Sequence, residues 1–214
     1  MNIFEKYYNC HDINRIIDTI NDVIPLEGCH GRYHTTFVVD MVEYILKSLS
    51  YDARTIEIGK IAALLHDIGS IAGRQNHAQK SASLASVFLE EHDFKPEEKA
   101  TIIQAIKDHS DAKNISSAIG AAVYIADKAD IAKRRVLPSD NMSLFNKNLL
   151  EIEDVGIRIS EKSMTINYIT TDAFSKETLL TEYIKKFEVS AKAARCLGCT
   201  YHLQFNGLDE FVYE

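Results

Sequence analysis

The stretch IAALLHDIG, residues 61–69, decides how this chain is read. It is apolar up to Leu65, then carries a histidine and an aspartate, and Gly69 closes it; the spacing predicts a helix of about 53–67 whose end presents His66 and Asp67. One imidazole and one carboxylate on a rigid support can reach a common ion without mobile loops. The same residues also suit a plain helix C-terminus, with His66 near the negative end of the dipole and Asp67 facing solvent. The dipeptide by itself decides nothing, because His-Asp also occurs at 11–12 and 92–93.

Working outward, the weight comes from where the other histidines fall. His34 opens a helical pattern in GRYHTTFVVDMVEYI, His77 opens another in NHAQKSASLASVFLEE, and His109 closes one in IIQAIKDHS. Structural readings stand beside these: a first-turn residue near Ser81 for His77, a C-terminal capping residue for His109. Asp127 lies in AAVYIADKAD, where an unpaired buried carboxylate costs several kcal/mol or takes up a proton, so a cation is expected beside it. If the helix continues, Arg134 returns to the face of Asp127 two turns on, where a guanidinium can grip phosphate; a solvated basic helix end in KRR explains it equally well. Lys128 points about 100° around the helix from Asp127 and reaches only a pocket rim. Arg32, Arg74 and Lys80 are further candidates for phosphate contact.

The ordered set His34, His66-Asp67, His77, His109, Asp127 resembles the HD-domain superfamily of metal-dependent phosphohydrolases, over roughly residues 28–135. That resemblance implies a four-ligand site of His34, His66, Asp67 and Asp127, with Asp67 facing two ions and His77 and His109 completing the second. Asp67 and His66 would then carry the catalytic centre. Mixed imidazole and carboxylate donors suit a divalent transition metal: iron or manganese is favoured, with zinc, cobalt or nickel compatible. Two ions would lower the pKa of a bridging water from about 15.7 towards neutrality and clamp a phosphoryl oxygen. The runs HAQKSA, AIKDHS and YIADKADIAKRR are most similar to the bacterial dinucleoside-tetraphosphate hydrolase branch, which implies a nucleotide phosphoanhydride as substrate. The cyclic-dinucleotide phosphodiesterase branch fits less well, because Ser110 follows His109 where a second histidine is expected. A di-iron oxygenase and a non-catalytic nucleotide- or partner-binding module are the alternatives from other classes, as is a mononuclear nucleotidase or phosphodiesterase.

The rest of the chain bounds these readings. With 214 residues and 46% hydrophobic content it can bury a substantial core. A formal charge of −7 argues against a long nucleic-acid partner and leaves room for a small anionic nucleotide. No stretch approaches the roughly 18 uncharged apolar residues of a membrane span, and MNIFEKYYNCHDIN lacks the basic start and apolar centre of a signal peptide, so a cytoplasmic protein is expected. A homodimer is compatible with the sequence.

Helical periodicity runs from residue 11 to about 134, with stripes such as Ile13, Ile16, Ile17, Ile20 and Ile24, further helices at about 78–91 and after Pro96, and an alanine-rich one at about 116–135. After about residue 150 the character changes. IRIS and MTINYIT alternate about the turn Glu161–Ser163, a long helix over 175–197 stops at Gly198, and Thr200–Phe205 enters a tight turn at Asn206-Gly207. The expected fold is mainly α: an HD-domain-like irregular helical bundle over 1–150 with a small C-terminal α+β appendage over 151–214 that carries no recognisable chemistry. The CxxC formed by Cys196 and Cys199 is read as a bystander, because a structural zinc site needs two more ligands and only His202 is near.

Overall fold

The computed structural model describes residues 2–24, 28–110, 115, 117–137 and 142–213, the side chains of 209 and 210 excepted. Seven helices lead the chain: α1 (Ile3–Tyr8), α2 (His11–Val23), α3 (Arg32–Ser48), α4 (Ala53–Leu65), α5 (His77–Glu90), α6 (Pro96–Asp108) and α7 (Ala118–Ala129). After α8 (Leu144–Leu150) come β1 (Ile152–Ser160), β2 (Ser163–Thr170), α9 (Lys176–Cys196), β3 (Thr200–Phe205) and β4 (Leu208–Tyr213). The mainly helical expectation with a small C-terminal sheet holds. Among the described residues no helix is long and apolar enough to cross a membrane.

Local chemistry accounts for the boundaries. Asp52 caps α4 by accepting from the backbone of Arg54 and Thr55, and Pro96 opens α6 where its missing N–H costs nothing. The short α1, which lacks enough turns for periodicity to reveal it, is held by a capping box between Asn2 and Glu5. Glu57 of α4 also accepts from its first two amides at 2.8 and 3.2 Å.

Two helices end earlier than their patterns suggest. α4 stops at Leu65, and the chain passes through a 3-10 turn, Ile68–Ala72, that lies against α5. Gly69 does not end the helix but permits that approach: a Cβ there would meet the backbone N of Ser81 at 2.2 Å. α7 stops at Ala129, and Lys133–Arg135 form a separate 3-10 turn. Asp130 leaves helical geometry with ψ of 77°, buried beside His34, while Ile131 and Ala132 enter the core. Arg134 therefore does not follow Asp127 on one helix face. The expected start of that helix, Ser116, lies outside the described residues.

The sheet runs in the order β1-β2-β3-β4, with β2 and β3 parallel and the other pairs antiparallel. A parallel pair needs a crossover, and α9 supplies it. The strand β4 continues the expected tight turn, where Asn206 and Gly207 both adopt positive φ, 52° and 80°. Tyr168 of β2 donates to the carbonyl of Ala129 at 3.2 Å, and α9 packs on α7, so apolar side chains from both halves form one contiguous core.

Candidate metal centre

Six buried groups converge from five places in the helical part. His34 lies in the first turn of α3, His66 caps α4, and Asp67 follows it into the 3-10 turn. His77 is the first residue of α5, His109 caps α6, and Asp127 sits in the last turn of α7. His66 is 0% and Asp67 2% exposed, which removes the reading of Asp67 as a solvent-facing residue.

The donor atoms form two groups that share one carboxylate. In the first, His34 Nε2 lies 3.2 Å from His66 Nε2 and 3.2 Å from Asp127 Oδ1, and Asp67 Oδ2 stands 3.5 Å from His66 Nε2 and 3.9 Å from His34 Nε2. In the second, Asp67 Oδ1 stands 3.5 Å from His77 Nε2 and 3.4 Å from His109 Nε2, which are 3.0 Å apart. Ligands about 2.0–2.2 Å from a first-row ion stand roughly 3–4 Å from one another, so both groups have the spacing of a metal shell.

The orientation of the rings carries more weight than their proximity. Nδ1 of His66, His77 and His109 meets the carbonyl of the residue three positions earlier, Ala63 at 2.6 Å, Arg74 at 3.0 Å and Ile106 at 2.5 Å. A carbonyl only accepts, so Nδ1 carries the proton and each neutral ring turns an Nε2 lone pair into the cluster. Two such lone pairs 3.0 Å apart, at His77 and His109, repel unless a cation lies between them. His34 is held in the same way by the carboxylate of Asp130, 2.8 Å from its Nδ1.

Burial keeps two of these imidazoles neutral, pulling His66 down to about 3 and His77 to about 4 despite the opposing charge of Asp67. Burial also opposes the charge on the carboxylates. For Asp67 the neighbouring His66 and His30 outweigh it, for Asp127 Lys128 and His34 do, and both carboxyls lie well below the usual range. His66 and His77 thus offer neutral nitrogen, and Asp67 and Asp127 anionic oxygen, at pH 7, the protonation state a divalent transition metal requires of its ligands.

The cationic candidates separate. Arg74 donates to Asp67 Oδ1 and to Ser70 Oγ, both at 2.9 Å. Lys128, expected at a rim, folds back along α7 and donates to Asp127 Oδ2 at 2.6 Å; its four-carbon stem overcomes the angular offset. Arg134 instead lies over the ring of Phe37 and pairs with Asp130 Oδ1 at 2.6 Å and Asp154 at 3.2 Å. Lys80 donates to the carbonyl of Ala72 at 2.6 Å, and Arg32 pairs with Asp18 at 2.8 Å.

Sequence reasoning passed over His30, whose Nδ1 lies 2.8 Å from Asp67 Oδ2. With His34 and Asp67 it forms another potential metal group. Its signal, a histidine four residues before His34, was muted because Gly31 begins the helix after it; Asn21 Oδ1 instead holds the amides of His30 and Gly31 at 2.9 and 3.0 Å. Asp130 was also passed over. So was the tail, read as having no chemistry: a cavity of about 320 Å³ beside the cluster is lined by Asp127, Lys128, Arg74 and Arg135, and also by Tyr183 and Lys186 of α9. Cys196 and Cys199 belong to no potential metal group among the described residues.

Residues 31–134 match the profile of the HD domain, a domain typical of metal-dependent hydrolases that binds divalent metals. No curated protein matches the chain. The matched span contains all six clustered side chains and ends before Arg135, α8 and α9.

Proposed function

We propose that this chain is a binuclear metal-dependent phosphohydrolase in which Asp67 would serve two divalent ions, one that His34, His66 and Asp127 would hold and one that His77 and His109 would hold. The observation that carries the reading is the division of the Asp67 carboxylate, with Oδ2 among one group of donors and Oδ1 among the other. Iron or manganese suits this mixture of imidazole and carboxylate. Bound there, the ions would activate a water and withdraw charge from a phosphoryl oxygen, so that no protein nucleophile is needed.

The chain's own residues supply the rest. The carbonyls of Ala63, Arg74 and Ile106 and the carboxylate of Asp130 hold the four imidazoles in register. Arg74 and Lys128, each on a ligand carboxylate, are placed to turn towards a bound phosphate. The α+β segment over 151–214 packs on the helical body over 1–150 and closes the cavity from the far side. Its cationic lining and the stacked rings of Phe145 and Tyr183, 5.6 Å apart, favour a nucleotide phosphoanhydride, and a diadenosine-tetraphosphate-like compound heads the screen.

A second reading has its own observation. The Arg74 guanidinium, 2.9 Å from Asp67 Oδ1, places a fixed positive charge beside the second group, as a mononuclear site with arginine in place of the second ion would. Metal content of protein purified without chelator separates the two. About two ions per chain, falling to about one in His77→Ala, with hydrolysis in the nucleotide screen, supports the binuclear enzyme. One ion indifferent to that variant supports the mononuclear site, and a loaded protein that hydrolyses nothing would overturn both.

A further inference from the structure

The positive charges around the cavity are unevenly compensated. Lys128 is paired with Asp127, Arg74 with Asp67, and Arg134 with Asp130, whose other oxygen faces His34. Among the described residues, two cations on the cavity wall are less fully compensated, although Arg135 Nη2 also lies 3.3 Å from His30 Nδ1. Arg135 has a buried Nη1 without a hydrogen-bond acceptor, its ion-pair contact being Asp130 Oδ2 at 3.7 Å. Lys186, on α9, makes no salt bridge among the described residues and rests over the ring of Tyr183, its Nζ 3.7 Å from the centroid. Its side chain keeps solvent access, yet partial desolvation of the ammonium, followed by repulsion from Lys128, pulls it down to about 8. A buried donor without an acceptor and a cation crowded by another are both relieved by an anion.

We propose that Arg135 and Lys186 form a subsite for a second phosphate group, linked to the phosphoryl group that the histidine–aspartate cluster takes, so that the chain selects compounds with a diphosphate or longer phosphate linkage over monophosphates. The subsite rests on the phosphohydrolase reading and deepens it. Both residues lie outside the span matched to the HD domain, 31–134, so the specificity belongs to this chain's own C-terminal segments. Phe145 and Leu149 of α8, on the same wall, supply apolar surface for the organic group beyond the phosphates.

Titration calorimetry of the manganese-loaded protein with methylenediphosphonate and with methylphosphonate tests the subsite without turnover. Wild type should bind the diphosphonate the more tightly, and Lys186→Met and Arg135→Met should each reduce the ratio of the two affinities about tenfold, the scale of one charge-assisted hydrogen bond. Lys186→Arg should keep the ratio within about threefold of wild type. An unchanged ratio in Lys186→Met, at wild-type melting temperature and metal content, overturns the subsite, as does failure of wild type to bind the diphosphonate. Lys186 is solvent-accessible, so its variant decides the matter even if Arg135→Met fails to fold. A subsite that responds in a protein hydrolysing no phosphate compound refutes the enzyme and spares the subsite; hydrolysis with an unchanged ratio does the reverse.

Discussion

At the scale of single residues, Asp67 carries the greatest demand because each of its oxygens serves a different donor group. Asp67→Ala should lose bound metal altogether, from about two ions per chain to near none by elemental analysis; wild-type content would sink the bridging role. Asp130→Asn tests the support behind His34, since it removes the charge that holds Nδ1 at 2.8 Å. Metal affinity should fall about 10–100-fold in competition with a chelator, without loss of the fold. The imidazoles also set a pH dependence. His30 and His77 are held at about 4 and His66 at about 3, each below the usual value near 6.5 and chiefly by burial. Between pH 6.5 and 4 the unfolded chain therefore binds more protons than the folded one, and stability falls as pH falls through that window. The lowered carboxyls of Asp67 and Asp127 extend the loss to more acidic pH. The melting temperature of chelator-treated protein should drop steadily from pH 7 to pH 4.5, and a flat profile would contradict burial as the cause.

At the scale of elements, the second donor group depends on how closely the 3-10 turn after α4 approaches α5. Gly69 is the contact: its amide donates to Ser81 Oγ at 2.8 Å, and an added Cβ would lie 2.6 Å from the carbonyl oxygen of His77 itself. Neither neighbour is a flexible side-chain end, so Gly69→Ala must push α5 away and carry His77 with it. We expect a loss of about 3 kcal/mol in urea unfolding together with loss of about one ion per chain. Wild-type stability in that variant would mean that the turn and helix leave room for a methyl group. By contrast, Cys196 ends α9 at an exposed position apart from every potential metal group among the described residues. Cys196→Ser should leave metal content and stability unchanged, and a fall in metal content would make the CxxC a ligand.

At the scale of the whole molecule, what matters is that α9 is both the crossover of the sheet and a wall of the cavity. Phe187, Ala191 and Ala194 of α9 are buried in a core shared with α7 and β2. Urea unfolding followed by tyrosine fluorescence and by far-ultraviolet circular dichroism should therefore give one coincident transition, and two separated transitions would show that the C-terminal segment stands alone. The helical class, the strands around Glu161 and the end of α9 at Gly198 could be written down from the sequence, because each depends on periodicity or turn chemistry within a short window, and the six clustered side chains could be named because their order resembles a known domain. The ends of α4 and α7, the roles of Gly69 and Asp130, the approach of His30, and the presence of Arg135, Tyr183 and Lys186 on one cavity could not. Those depend on which elements touch: a helix stops where tertiary contacts outcompete its next hydrogen bond, and a cavity wall is built from residues far apart in the chain. The sequence by itself determined the donors; only the tertiary structure decided how they divide about Asp67 and what stands opposite them.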